Sequence, residues 1–144
     1  MTTRNRAELA VGASLTALAV LFTAAAVVLA GTRPQPQTSV EIVIHYSHFE
    51  PSGVTVPVGV PVTFTIRNDD PIDHEWIVGD AEVQQRHRVG TEVVHNTLPT
   101  EQMIPAGQTV VTSITFPATG ALQYICHLPG HEAYGMVGLV TIVR

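Results

Sequence analysis

From Val40 onward, apolar and polar residues alternate in short runs. VEIVIHY (40–46), VTVPV (54–58) and PVTFTI (61–66) follow this pattern, the last setting Val62, Phe64 and Ile66 on one face against Thr63 and Thr65 on the other. A period of two is the signature of a half-buried strand. TVVTSITFP (109–117) places Val110, Ile114 and Phe116 together, Trp76-Ile77-Val78 forms a short strand, and LQYIC (122–126) and VGLVTIV (137–143) supply the last two. None carries a helical period. Turn residues separate the runs at Pro51-Ser52-Gly53, Val58-Gly59, Asn68-Asp69-Asp70-Pro71, Pro105-Ala106-Gly107 and Ala118-Thr119-Gly120. About seven short strands with such punctuation predict an all-β sandwich. The longest interruption, at about 80–102, reads as an insertion over one edge or end of it. Within that insertion Asp80 is placed to cap a short helix through Arg88 that ends at Gly90.

The N-terminal part differs. Leu9 to Ala30 carries no charge over 22 residues, enough to cross a hydrocarbon layer that needs about 20 helical residues. Arg4 and Arg6 precede it and Arg33 alone follows closely, so the positive-inside bias puts residues 31–144 outside the cytoplasm. The expected organisation is a membrane anchor or signal segment over 1–30, a Pro/Gln linker over 31–39, and one folded domain over 40–144. A signal's apolar core is usually only about 7–15 residues, which favours a retained single-pass anchor in the cell membrane. Cleavage after Ala30 would instead leave a periplasmic or secreted domain.

Beyond residue 30 the chain has 11 acidic residues against five arginines and no lysine. Phosphate binding needs clustered cations, so a nucleic-acid partner is excluded. The single cysteine, Cys126, is more informative. Exported domains ordinarily use cysteines in pairs, and one thiol is left to be reactive, to pair with another chain, or to hold a metal.

Cys126 sits in YICHLPGHEAYGM (124–136), where Cys126, His131 and Met136 are spaced C-x4-H-x4-M. If Tyr124 and Cys126 face inward at a strand end, the residues that follow form a loop across that end of the sandwich. Thiolate, imidazole and thioether together favour copper, and a His2Cys set with a weak axial Met is the recognised blue-copper arrangement. The loop supplies one histidine. His74, in NDDPIDHEW before the Trp76 strand, is the best candidate for the second.

These features resemble the cupredoxins, the plastocyanin and azurin family of small blue copper proteins. The resemblance spans roughly residues 40–144 and rests on Phe49-x-Pro51, Gly59, the Val62-x-Phe64 strand, Asn68 leading to His74, and CHLPGHEAYGM. It implies a Greek-key β-sandwich and one bound type 1 copper ion, with His74, Cys126 and His131 as equatorial ligands and Met136 as the axial one. It also implies a monomeric soluble domain that exchanges single electrons with a redox protein such as a cytochrome or oxidase, and no enzymatic activity. Asn68 is a weaker candidate to brace the loop that carries His74. The insertion is similar to those of copper-handling cupredoxins, which leaves copper tolerance or delivery outside the cytoplasm as the alternative.

His127, directly after the cysteine, is similar to the arrangement in multicopper oxidases. A trinuclear oxygen-reducing centre needs H-x-H pairs, however, and the sequence contains none. Strand alternation points His127 away from Cys126, as a surface residue or one just behind the ligands. His45 and His48, His87 and His95 are secondary candidates for an accessory metal, the first two expected on opposite faces of an extended strand. Asp69, Asp70, Asp73 and Glu75 read as a solvated acidic group beside His74, suited to steering a cationic partner.

Overall fold

The computed structural model describes residues 35–90 and 96–144, within the compact unit Gln35–Arg144. The expected anchor over 1–30, the start of the linker, and His95 lie outside the described residues. Among the described residues no helix is long and apolar enough to cross a membrane.

Two sheets face each other. The first contains β1 (Ser39–His45), β2 (His48–Glu50), β4 (Pro61–Asn68) and β7 (Thr109–Thr115), in the order β2-β1-β4-β7. The second contains β3 (Gly53–Pro57), β5 (His74–Gly79), β6 (Glu101–Ile104), β8 (Gly120–Ile125) and β9 (Val137–Val143), in the order β3-β9-β8-β5-β6. β1 and β4 run parallel, as do β3 and β9, while the remaining pairs are antiparallel.

The alternation expected from the sequence is realised. In β1, Val40, Ile42 and Ile44 are buried between exposed or half-buried neighbours, and Val62, Phe64 and Ile66 of β4 are wholly buried. Between the sheets Phe64 packs against Trp76 with ring centroids 5.0 Å apart, and against Phe116 at 6.3 Å. Burying each such side chain contributes roughly 1.5–3 kcal/mol.

The single described helix, α1 (Ala81–Arg88), begins where the sequence places it. The Asp80 carboxylate accepts from the amides of Glu82 and Val83, both at 3.0 Å, which satisfies donors that a helix start leaves open. Gln84 of α1 donates to Ile77 O at 3.0 Å and Gln123 O at 3.1 Å, fastening the helix over β5 and β8. Every residue of β5 is therefore buried, whereas an alternating strand buries only half.

Two short strands were not expected as such. β2 has three residues, and β6 closes the insertion against β5 through the register His74↔Ile104. The turn into β2 also corrects the reading of His45 and His48. Tyr46 and Ser47 both adopt left-handed φ, 51° and 56°, and make a two-residue hairpin in which His45 and His48 are direct cross-strand partners. Directly opposed residues share a face, so the two histidines lie side by side in solvent.

Candidate metal centre

β5 and β8 are antiparallel neighbours, with Ile77 opposite Ile125. The start of one strand therefore lies beside the end of the other, and this brings His74 and Cys126 together across 52 residues of chain. The loop after Cys126 folds back on itself through a ladder of short backbone bonds. Cys126 N donates to Met136 O at 3.2 Å, Met136 N to His131 O at 3.0 Å, and His131 N to Leu128 O at 3.0 Å. Gly130 and Gly135 take φ of 88° and 93°, which suits residues without a Cβ.

Three of the four expected donors converge. His74 Nδ1 lies 3.2 Å from His131 Nδ1, and Cys126 Sγ lies 3.3 Å from His131 Nδ1 and 4.0 Å from His74 Nδ1. Among the described residues this is the one group of three or more possible ligands whose donor atoms all fall within 4.8 Å of one another. Such separations leave room for one ion about 2 Å from each donor. Two imidazoles and a thiol in a dry site suit copper rather than a hard, oxygen-seeking cation. His74, Cys126 and Met136 have no exposed surface, and His131 is half-buried. Met136 closes the same loop, its backbone bonded to both Cys126 and His131.

Burial sets the ionisation states of the copper-free site. Burial holds His74 below its ordinary range despite the opposing pull of Asp70, so the ring is neutral at neutral pH. Burial also pushes the Cys126 thiol up to about 11, although the amides of Glu75 and Leu128 partly offset this. Glu75 N donates to Cys126 Sγ at 3.3 Å.

Two of the four carboxylates expected in solvent are not there. Asp70 is 7% exposed and Glu75 is 6% exposed. Asp70 Oδ2 accepts from His74 Nε2 at 2.9 Å and Ser47 N at 2.7 Å, and Oδ1 accepts from Tyr46 N at 2.7 Å. Glu75 Oε2 accepts from His127 N at 3.2 Å, tying the two ligand-bearing segments together beside the thiol. Asp69 remains half-exposed and paired with Arg67, while Asp73 accepts from Ala106 N. The exposed acidic residues beside His74 are thus reduced to Asp69 and Asp73.

Asn68 does brace its loop. Its side chain donates to Ile72 O at 2.8 Å and Ile104 O at 3.0 Å and accepts from Asp70 N at 2.9 Å. Of the two positions expected for His127, on the surface or just behind the ligands, the structure shows the second, with its side chain only 3% exposed. It lies under α1, with Nε2 2.7 Å from Gln84 Oε1 and its ring stacked on His87 at 5.7 Å. These two histidines pack against each other beside the metal group and, among the described residues, belong to no three-ligand cluster of their own.

A β-sandwich with this donor set at one end is a small copper-binding protein of the single-site kind. The chain belongs to the cupredoxin family: the family model of the cupredoxin-like domain matches residues 14–138. It is similar to the copper-resistant cuproprotein CopI of Pseudomonas aeruginosa, at 26% identity over 141 residues, covering 75% of this chain and 77% of that one. It is also similar to auracyanin A of Chloroflexus aurantiacus, a blue copper protein, with a TM-score of 0.60 at 25% identity over 73% of this chain and 98% of that one. The dithionite-reduced auracyanin of Roseiflexus castenholzii shares the fold, with a TM-score of 0.65 at 22% identity over 76% of this chain and all (100%) of that one.

Proposed function

We propose that this protein is a type 1 copper protein that carries single electrons between redox partners on the outer face of a membrane. His74, Cys126 and His131 serve as the strong ligands and Met136 as the weak fourth. The observation that carries this reading is the convergence of two imidazole nitrogens and one sulfur within 4.0 Å of one another, in a site already built and buried. Bound copper supplies a one-electron change at this centre.

The chain's own residues supply the rest. The sandwich fixes His74 and Cys126 from neighbouring strands, and the hydrogen-bonded loop fixes His131, so little has to move when the charge at the centre changes. Among the ligands His131 alone reaches toward solvent, between Leu128, Pro129 and Gly130 on one side and Ala133 and Tyr134 on the other. Tyr134 is 75% exposed. The Arg88–Glu132 ion pair lies at the same surface, and a small surface of this kind suits a brief redox encounter with a cytochrome or oxidase. Placement outside the cytoplasm follows from the uncharged stretch at 9–30 and the arginines before it.

A second reading is copper tolerance or delivery, favoured by the similarity to CopI over three-quarters of the chain. One experiment separates the two. The protein and Cys126→Ser are loaded with Cu(II), examined by visible absorption and EPR, then cycled with a reductant and an oxidant before a Cu(I) acceptor is added. An intense thiolate-to-copper band with narrow hyperfine splitting, absent in Cys126→Ser and surviving repeated cycles, is expected. Loss of the metal to the acceptor on first reduction would favour delivery. A colourless protein whose copper binding ignores Cys126 would overturn both assignments of the site.

A further inference from the structure

We propose that Asp70 is a positioning residue for the copper centre: its buried carboxylate holds His74 with the proton on Nε2, keeps Nδ1 bare toward the metal, and biases the site toward Cu(II). This rests on the copper-site reading above.

The carboxylate has three donors around it. Tyr46 N and Ser47 N come from the left-handed turn between β1 and β2, 24 and 23 residues away in sequence, and His74 Nε2 comes from β5. Asn68 Oδ1 holds the backbone amide of Asp70 itself at 2.9 Å. Two turn amides and one amide brace therefore fix the carboxylate before it meets the imidazole. An ionised carboxylate only accepts hydrogen bonds, so the nitrogen facing it must carry the proton. The other ring nitrogen, Nδ1, is the one that lies 3.2 Å from His131 Nδ1 and 4.0 Å from Cys126 Sγ. A carboxylate behind a ligating histidine fixes the ring's tautomer and raises its basicity, and removing such a partner typically costs about 10–100-fold in metal affinity.

Charge adds to the tautomer effect. Asp70 and the Cys126 thiolate bring negative charge beside the centre, where the Glu75 carboxyl is also buried, and such charge attracts a divalent ion more strongly than a monovalent one. The difference favours the oxidised site. Asparagine at position 70 offers one oxygen to three donors, so at least one loses its acceptor and the negative charge disappears.

The test uses the full-length chain. In the nitrogen-15-labelled, copper-free wild type, ring-nitrogen NMR shifts should show His74 protonated at Nε2 and bare at Nδ1. With copper bound, Asp70→Asn should weaken Cu(II) binding relative to Cu(I) by about tenfold, which for a one-electron couple is an upward shift of ~59 mV in potential. Asp69→Asn, one residue away on the same loop but half-exposed, should leave the potential where it was. A wild-type His74 protonated at Nδ1 would overturn the proposal even if Asp70→Asn fails to fold. An unchanged or lowered potential in Asp70→Asn, or an equal shift in Asp69→Asn, would overturn it too. The tautomer is read without metal, so its failure is distinct from failure of the copper reading, which shows as a missing charge-transfer band in the wild type.

Discussion

The stability of the copper-free fold should decline at alkaline pH because of one thiol. Cys126 has no exposed surface, and burial lifts its ionisation from the ordinary 9.0 to about 11. In the unfolded chain the same thiol ionises near its ordinary value. Between those two values the unfolded state has lost a proton that the folded state keeps, so rising pH pulls the equilibrium toward unfolding. The contribution of the buried thiol is complete below the unfolded value and is lost as pH rises toward the folded one. With ~1.36 kcal/mol per unit, the loss is about 1.4 kcal/mol by about pH 10 and about 2 kcal/mol by about pH 10.5. The assay is urea unfolding of the copper-free protein and of Cys126→Ser, under reducing conditions, from about pH 7 to about pH 10.5. Tyr124, which burial also pushes upward, destabilises both proteins alike. The wild type should therefore lose about 2 kcal/mol relative to the variant. A difference that stays constant across the range would refute the reasoning, because it would mean that the thiol is not held neutral by burial.

The same protonated thiol must give up its hydrogen when copper enters, so loading near neutral pH should release about one proton per ion; titration in weak buffer with a pH indicator reads this, and Cys126→Ser should release none. Gly138 lies opposite Tyr124 in the β8–β9 register, and a Cβ there would sit 2.1 Å from the tyrosine ring, whose hydroxyl donates to Pro51 O at 2.7 Å. Gly138→Ala should cost about 1–3 kcal/mol or more by denaturant unfolding, and Tyr124→Phe on that background should leave the clash in place because the ring remains. Asn68→Ala strips the loop's carbonyls and the Asp70 amide of their partner, and should cost about 1–3 kcal/mol in unfolding while the thiolate-to-copper band persists.

The sandwich was legible wherever a strand has one covered face. β1, β3, β4 and β9 bury alternate residues, and their apolar positions read directly as core. The metal loop was legible for a different reason, since Cys126, His131 and Met136 are close in sequence and their chemistry is distinctive. β5 defeats the same reading. The core covers one face and α1 covers the other, so Glu75 is buried in a strand with no alternation to announce it. Asp70 escaped because its burial depends on Tyr46 and Ser47, whose amides reach it only after a two-residue turn has formed far upstream. Polar residues around a histidine look solvated until such long-range donors are known. For His127 alternation left two positions open, and the helix that covers β5 decides between them by covering the place where the ring lands.

The two functional readings converge on the same small surface. His74, Cys126 and Met136 have no exposed surface, α1 covers the back of β5, and of the four proposed ligands His131 is the one with exposed surface. An electron passing at this end needs only the edge of the His131 ring and a partner pressed against Pro129, Gly130, Ala133 and Tyr134. The backbone on either side of the His131 ring is fixed by its amide's bond to Leu128 O and its carbonyl's bond from Met136 N, both at 3.0 Å. Those bonds hold the loop rather than the ring, and Cys126 N to Met136 O closes its base. Retention of the ion during electron transfer and its release in delivery therefore differ in whether the His131 ring turns, which transfer of copper to a Cu(I) acceptor would read.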